Sequence, residues 1–248
     1  MTTSGAEARG AASSARRLSR FTSRAQATAR FIAQRAILKP VTWSVVRVTV
    51  IGRKNLRGVG PAFVVVANHS SHLDTPLIFG ALPRKLARYL AAGAAADYFF
   101  DVWWRRGLTA LFFNAFPVDR SGSNRGGVSA KVLLEKGVPL LVFPEGTRSR
   151  TGELGTFKSG AASLAAATGV PCLPVAIIGA SVAHPRGSKW PKPGRLPVGV
   201  VFGRPLSQAE GESVGDFTSR IRAEIVSLRD AYSDRILGAS NPSEGAHA

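Results

Sequence analysis

The sequence has little cysteine and no long apolar run. Its 248 residues include a single cysteine, Cys172, which excludes an intrachain disulfide and a thiolate metal cluster. No stretch of 18 or more apolar residues is free of charge, which argues against a transmembrane helix. The hydrophobic fraction is nonetheless 45%, enough for a packed core. The composition therefore indicates a folded protein rather than a disordered chain.

Acidic residues are also scarce. The chain has 15 Asp and Glu against 33 Lys and Arg, which gives a formal net charge of +18. Such a charge attracts nucleic acid, an acidic membrane surface, or substrates and carriers that bear phosphate. Residues 16–50 and 98–116 combine basic side chains with aromatic and aliphatic ones, a composition typical of segments that lie on a membrane surface. A solvated basic tail with ordinary core aromatics is the alternative.

Strand-like and helix-like segments alternate along the chain. Continuous or alternating apolar runs predict strands, and these runs are 45–52, 62–67, 88–93, 137–143, 170–179 and 196–203. Helical patterns fall between them and near the end of the chain, and a basic helical segment is predicted to end at Pro40. This order predicts a single α/β domain with a mostly parallel or mixed central sheet flanked by helices.

The predicted domain organisation has three parts. Residues 1–40 form a basic, amphipathic helical extension, partly disordered, that suits a membrane surface. Residues 41–237 form the α/β domain, and residues 238–248 form a disordered tail.

A polar motif, Asn-His-Ser-Ser-His-Leu-Asp at 68–74, directly follows the buried run 62–67. A metal site is one interpretation. A catalytic zinc usually needs three protein ligands, however, and outside this motif the chain has only two further histidines, of which one lies in the C-terminal tail. A second interpretation is an acid–base dyad, in which a turn brings Asp74 against His69 to fix its tautomer. A third is a plain polar turn with Asp74 as the helix N-cap.

A second polar motif, Phe-Pro-Glu-Gly-Thr-Arg-Ser at 143–149, follows another buried run. A tight turn there would expose backbone N–H groups and the side chain of Arg148. Together with Lys158, and with Arg120 from an earlier segment, Arg148 predicts a phosphate pocket, because guanidinium groups bind phosphate in a bidentate way. A surface turn with solvated charges is the alternative. Because strand ends meet at one edge of an α/β sheet, the two motifs could lie together.

The motifs together resemble those of a known enzyme family. Four blocks occur in order, namely Asn68-His69 with Asp74, Phe-Pro-Val-Asp-Arg at 116–120, Phe-Pro-Glu-Gly-Thr-Arg-Ser at 143–149 with Phe157 and Lys158, and Val-Pro-Cys-Leu-Pro-Val at 170–175. In this order they resemble the glycerolipid acyltransferases, in particular the lysophosphatidate (1-acyl-sn-glycerol-3-phosphate) branch. The resemblance covers about residues 45 to 205.

The resemblance implies an O-acyltransferase of phospholipid biosynthesis that moves an acyl chain from acyl-CoA or acyl-carrier protein to a lysophospholipid hydroxyl. His69 would be the general base and Asp74 its orienting carboxylate. The residues that match substrate-binding positions are Arg120, Glu145, Gly146, Thr147, Arg148 and Lys158. No metal and no cofactor are expected, and Cys172, in an apolar run, is expected in the core.

The resemblance also implies where the protein acts. We expect a peripheral or monotopic protein on the cytoplasmic face of a membrane, a bacterial plasma membrane in particular, in contact with anionic phospholipids. One departure concerns the acceptor. Family members acting on lysophosphatidate commonly carry a lysine between the first two motifs, and residues 91–98 have none. Another lysophospholipid or hydroxyl lipid is therefore the alternative acceptor. A basic nucleic-acid-binding or membrane-binding protein is the non-enzyme alternative, although no nucleic-acid-binding module is visible and no specific nucleic acid is expected.

Overall fold

The computed structural model describes residues 18–95, 111–118 and 129–238. Seven strands form one sheet. They are β1 (Arg47–Ile51), β2 (Val64–Ala67), β3 (Ala91–Ala95), β4 (Phe116–Val118), β5 (Leu140–Val142), β6 (Cys172–Ile178) and β7 (Pro197–Phe202). The α-helices are α1 (Arg24–Ala33), α2 (Lys39–Val45), α3 (Asp74–Ala81), α4 (Arg84–Ala87), α5 (Ala130–Glu135), α6 (Gly160–Thr168), α7 (Ala180–Ala183) and α8 (Val214–Leu237).

The sheet is mixed, with the spatial order β1-β7-β6-β2-β5-β3-β4. The five strands β6, β2, β5, β3 and β4 run parallel to one another, and β7 pairs with β6 in the antiparallel sense. As a result, the carboxyl ends of β2, β5 and β6 lie at the same edge of the sheet. The predicted single α/β domain with a mixed sheet and flanking helices is confirmed.

The hydrophobic core has two layers, one on each face of the sheet. The side chains of β2 alternate between them, because Val65 and Ala67 pack with α3 on one face while Val64 and Val66 pack with α6 and α8 on the other. All four residues are buried, as the uninterrupted apolar run predicts. A strand buried on both faces holds the residue that follows it in a well-defined place.

The N-terminal helices differ from the prediction that the basic helix ends at Pro40, which is wrong. The chain stays helical through a π-helical turn (Gln34–Leu38) and then through α2 to Val45. The N–H of Lys39 donates to the carbonyl of Gln34, five residues earlier, so the turn is wider than an α-helical one. Because a proline lacks the N–H and its ring crowds the preceding turn, widening that turn lets the helix continue.

Several short elements were not predicted, among them the helix α4, the strand β4 and the helix α7. Strand β4 is short and contains Pro117, which sequence propensity disfavours in a strand, but β4 lies at the edge of the sheet where a missing N–H is tolerated. Helix α7 is a single turn after Gly179, whose φ of 79° turns the chain out of β6. The predicted division of the chain at residues 40 and 237 is untested and stays a prediction.

Candidate active site

Both polar motifs lie at the edge of the sheet where β2, β5 and β6 end. His69 follows β2, and residues 143–149 follow β5. β5 and β6 flank β2 on its two sides, so the turns after these strands are neighbours in space although they are far apart in sequence. The sheet order therefore brings the two motifs together.

Asn68 fixes the end of β2 against β6. Its side-chain oxygen accepts from the N–H of Ile177 at 2.7 Å, and its side-chain nitrogen donates to the carbonyl of Ile177 at 2.9 Å. The side chain is buried, and it continues the pairing between the strands by one residue. Removing it would leave both backbone groups of Ile177 without these partners, which is costly in a buried position. Asn68 thus fixes the position of the next residue, His69.

His69 and Asp74 form the dyad. The Nδ1 atom of His69 lies 2.8 Å from Oδ2 of Asp74, and the same oxygen accepts the N–H groups of Ser70 at 2.7 Å and Ser71 at 2.8 Å. Asp74 is fully buried at the start of α3, and the His69 side chain is about one-fifth exposed. Because the carboxylate oxygen only accepts, Nδ1 carries the proton and Nε2 keeps a free lone pair. An imidazole in this state can take a proton from a substrate.

The second motif holds the histidine from three directions. The Phe143 ring stacks on the His69 ring at a centroid distance of 4.0 Å. The Glu145 carboxylate accepts the His69 N–H at 2.8 Å, and the N–H of Ser149 donates to the His69 carbonyl at 2.8 Å. Both the ring and the backbone of His69 are therefore positioned by the turn after β5.

Glu145 and Gly146 shape that turn. The second oxygen of Glu145 accepts the N–H of Gly155 at 3.0 Å, so this carboxylate joins the end of β2 to the loop before α6. Gly146 has a φ of 72°, and a Cβ there would lie 3.3 Å from Nζ of Lys158. Glycine therefore permits the turn and the close approach of the lysine.

A groove of about 490 Å³ opens beside this turn. Its lining residues are Glu145, Thr147, Arg148, Ser149, Arg150, Gly155, Thr156, Lys158 and Arg186. Four of them, Arg148, Arg150, Lys158 and Arg186, are cations and one is an acid. A site with this charge suits a phosphate or another compact anion.

Arg186 was missed at the sequence level. It comes from the segment between α7 and β7, and its Nη1 donates to the carbonyl of Arg148 at 2.7 Å. Residues 184–196 are rich in basic residues and come after the predicted strand 170–179, but no local pattern singles out Arg186 among these cations. Two strand ends had been assigned to the site, and this segment belongs to a third.

His72 and His184 lie behind the dyad. Their rings are 5.8 Å apart, and the Ser71 hydroxyl donates to the His184 carbonyl at 2.9 Å. Burial, followed by the neighbouring charge of Arg148, lowers the pKa of His72 from 6.5 to about 4. A ring that is this weakly basic is a poor proton acceptor near neutral pH. His72 is therefore a neighbour of the dyad and a poor candidate for its general base.

The remaining predicted residues divide as follows. Arg120 lies outside the described residues, so its place in the pocket stays a prediction. Within the described ranges, no group of three or more His, Cys, Asp or Glu side chains is arranged to hold a metal ion. Cys172 is fully buried in β6, and burial raises its pKa to about 12, so its thiol is no nucleophile.

Comparison with known proteins identifies the family of the chain. Residues 47–178 match the family model described as Acyltransferase. A 1-acyl-sn-glycerol-3-phosphate acyltransferase of Chlamydomonas reinhardtii is 34% identical over 158 residues, which are 62% of this chain and 46% of that protein. The enzyme of the same name from Pseudomonas aeruginosa is 36% identical over 113 residues, which are 44% of this chain and 39% of that protein.

A solved structure shares the fold. The crystal structure of the 1-acyl-sn-glycerophosphate (LPA) acyltransferase PlsC from Thermotoga maritima matches with a TM-score of 0.64 at 28% identity, covering 81% of this chain and 79% of that one. The chain spans less than half the length of these two curated relatives. The family model, however, covers a little over half of this chain and includes both motifs. The chain belongs to the acyltransferase family.

Proposed function

We propose that the protein transfers a fatty acyl group from acyl-CoA or acyl-carrier protein to the free hydroxyl of a lysophosphatidate-like glycerolipid. One observation carries the proposal. Nδ1 of His69 lies 2.8 Å from Oδ2 of Asp74, and the backbone N–H of His69 donates to Glu145 in the turn that lines the cationic groove. A base and an anion pocket built on one turn suit a substrate with a hydroxyl and a phosphate on the same glycerol. The relatives are named for the same reaction, which supports the proposal.

The chemistry follows from the free lone pair on Nε2 of His69. This atom takes the proton of the acceptor hydroxyl while the hydroxyl oxygen attacks the carbonyl carbon of the thioester. The tetrahedral intermediate then collapses, the carbon–sulfur bond breaks, and the thiolate of the donor leaves. The imidazolium returns the proton to that sulfur. Asp74 stabilises the imidazolium between the two steps and is not itself protonated.

The groove supplies the affinity for the acceptor. Arg148, Lys158 and Arg186 can neutralise a phosphate, and the two guanidinium groups can do so in a bidentate way. Such a phosphate fixes the glycerol and therefore the position of its hydroxyl relative to His69. Glu145 has a different role in this proposal. Its two oxygens already accept the backbone N–H groups of His69 and Gly155, so it holds the wall of the groove in a fixed position relative to the dyad.

We further propose that the protein works on the cytoplasmic face of a membrane, the plasma membrane of a bacterium in particular. The N-terminal helices support this, because Ile32, Ile37 and Val41 are more than half exposed there. Lys39 lies between Ile37 and Val41 in the sequence. Apolar side chains beside cations are typical of helices that lie in the headgroup region. None of the helices in the described ranges has the length and apolar character needed to span a bilayer.

Acceptor profiling tests the proposal. The purified protein would receive acyl-CoA or acyl-carrier protein with lysophosphatidate, other lysophospholipids, and monoacylglycerol, which has the same chain but no phosphate. Products would be identified by mass. We expect diacylated product from lysophosphatidate and a much slower reaction with monoacylglycerol. Arg148→Gln should raise the KM for lysophosphatidate more than it lowers kcat, because phosphate binding is what it removes.

Three results would each count against a different part of the proposal. Equal turnover of monoacylglycerol and lysophosphatidate would remove the role of the cationic groove. A preference for a different lysophospholipid would keep the reaction but identify the acceptor that the missing lysine in 91–98 leaves open. No acyl transfer to any acceptor would refute the reaction itself.

A further inference from the structure

The segment between α7 and β7, residues 184–196, carries an exposed tryptophan. Trp190 is 81% exposed, more than any other large apolar side chain in the described ranges. We call this segment the Trp190 loop. Covering an indole ring that is this exposed would remove a large apolar area from water, which is favourable. The loop therefore presents a contact residue rather than a core residue.

The charge of the loop shows what kind of surface could cover it. The loop contains four cations and no acid. The cations, all exposed, are Arg186, Lys189, Lys192 and Arg195. Two of them lie within two residues of Trp190. The complementary surface is therefore anionic and accepts an aromatic ring.

The loop is held in place at its base. The N–H of Lys192 donates to the carbonyl of Ala183 at 2.8 Å, and Nη2 of Arg195 donates to the carbonyl of Trp43 at 3.0 Å. Prolines at 185, 191 and 193 further restrict its backbone. The indole is consequently presented at a defined place, which lowers the entropy cost of binding a surface.

The position of the loop relates that surface to the active site. The loop follows the carboxyl end of β6, at the same edge of the sheet as His69. Arg186 belongs both to the loop and to the cationic groove, where its guanidinium donates to the carbonyl of Arg148 at 2.7 Å. A surface that covers Trp190 therefore lies next to the mouth of the groove.

We propose that the Trp190 loop is a membrane anchor that places the mouth of the groove on the headgroups of an anionic bilayer. Indole rings prefer the headgroup region, and lysines beside them are attracted to anionic lipids. An acidic protein would also attract the four cations, but a single ring that is 81% exposed suits a deformable headgroup layer better than a folded surface. The inference rests on the proposed lipid acceptor, since only a lipid substrate makes a bilayer beside the groove useful.

Vesicle binding of the full chain, measured without an acyl donor, tests the loop independently of catalysis. The vesicles would be phosphatidylcholine alone, or equal parts of phosphatidylcholine and phosphatidylglycerol. We expect Trp190→Ala to weaken binding to the anionic vesicles about tenfold. The double variant Lys189→Gln/Lys192→Gln should weaken it by a similar factor on anionic vesicles only. Lys131→Gln/Lys136→Gln is the charge-matched control, from α5 and the turn that enters β5 at its amino end, and should bind nearly as the wild type does.

Activity separates this inference from the proposed function. With a short-chain, monomeric acceptor, Trp190→Ala should react as the wild type does, whereas with vesicle-bound acceptor its KM should rise. Unchanged vesicle binding of Trp190→Ala would overturn the inference, and so would an equal loss in the control variant. A variant that binds vesicles normally but loses affinity for acyl-carrier protein would assign the loop to a protein partner instead. If the wild type transfers no acyl group, the proposed function is refuted, whereas vesicle binding still tests the role of the loop.

Discussion

Asp74 determines the geometry of the dyad at the scale of single residues. One of its oxygens faces Nδ1 of His69 and also accepts the N–H groups of Ser70 and Ser71. The turn is thereby closed around a buried carboxylate, so the charge is compensated by three donors. The polar-turn and the catalytic interpretations are thus compatible, because the turn itself creates the dyad. The expectation that Asp74 is the helix N-cap is wrong, since Leu73 is the N-cap and the Asp74 carboxylate accepts from residues that precede the helix.

The protonation of His72 gives a prediction at this scale. The folded chain lowers its pKa from 6.5 to about 4 through burial and the charge of Arg148. Between about pH 4 and 6.5 the unfolded chain therefore binds more protons at this ring, and stability falls as the pH drops through this range. Because the ring is partly exposed, solvent screening limits the change to below about 1 kcal/mol.

An NMR titration of the histidine Cε1–H signals measures this directly. The His72 signal should not titrate above about pH 5. Arg148→Gln should move its pKa upward, whereas Arg57→Gln, which follows the carboxyl end of β1 at the opposite edge of the sheet, should not. A wild-type His72 that titrates near pH 6.5 would contradict the account of this ring.

At the scale of helices and strands, the packing of α2 against α3 determines the position of the N-terminal helices. Gly80, in α3, faces Trp43 of α2, and a Cβ there would lie 2.5 Å from the indole ring. Arg35, from the π-helical turn, donates to the carbonyls of Gly80 and Leu82 at the end of α3. The helix pair is therefore joined by close packing and by a cation at a helix C-terminus.

A pair of glycine substitutions tests this packing. Gly80→Ala should destabilise the protein by about 1–2 kcal/mol, because the clash with Trp43 outweighs the better helix propensity of alanine. Gly160→Ala is the matched control. It lies at the start of α6, where a Cβ meets nothing within 4 Å, so it should leave stability unchanged or raise it by a few tenths of a kcal/mol. Urea unfolding measures both, and equal effects of the two variants would refute the packing argument.

The strands could be predicted because each is an apolar run bounded by turn residues. The predicted and observed strands overlap at β1, β2, β3, β5, β6 and β7, with shifted ends. The π-helical turn could not be predicted, since sequence alone shows Pro40 as a helix breaker. The contact of Asn68 with Ile177 was also hidden, because it depends on β6 lying beside β2 across 109 residues of chain.

The site was predictable to the extent that its residues lie in local motifs. His69, Asp74 and Arg148 could be named from two short stretches, and the meeting of these stretches followed from strand ends at one edge. Arg186 could not be assigned, because no local pattern distinguishes it from the other cations of its loop. The sheet order supplies that information, since it places a third strand end at the same edge.

At the scale of the whole molecule, the net charge of +18 and the position of the site are related. The groove, the dyad and the Trp190 loop all lie at the edge of the sheet where β2, β5 and β6 end. The proposed acyl donor, the proposed phosphate-bearing acceptor and an acidic bilayer would all be anionic. A basic protein would attract each of them, and the sheet order places the residues proposed to bind them on one side.

Acyl transfer by His69→Ala is the most direct test of the central role assigned to this side chain. Wild type, His69→Ala and the neighbouring control His72→Gln would be compared at saturating lysophosphatidate and acyl-CoA, with product measured by mass and folding checked by urea unfolding. Loss of the base should reduce kcat by on the order of 10²–10⁴-fold with the fold intact, while His72→Gln keeps most of its activity. A folded His69→Ala protein that retains near-wild-type kcat would contradict the account.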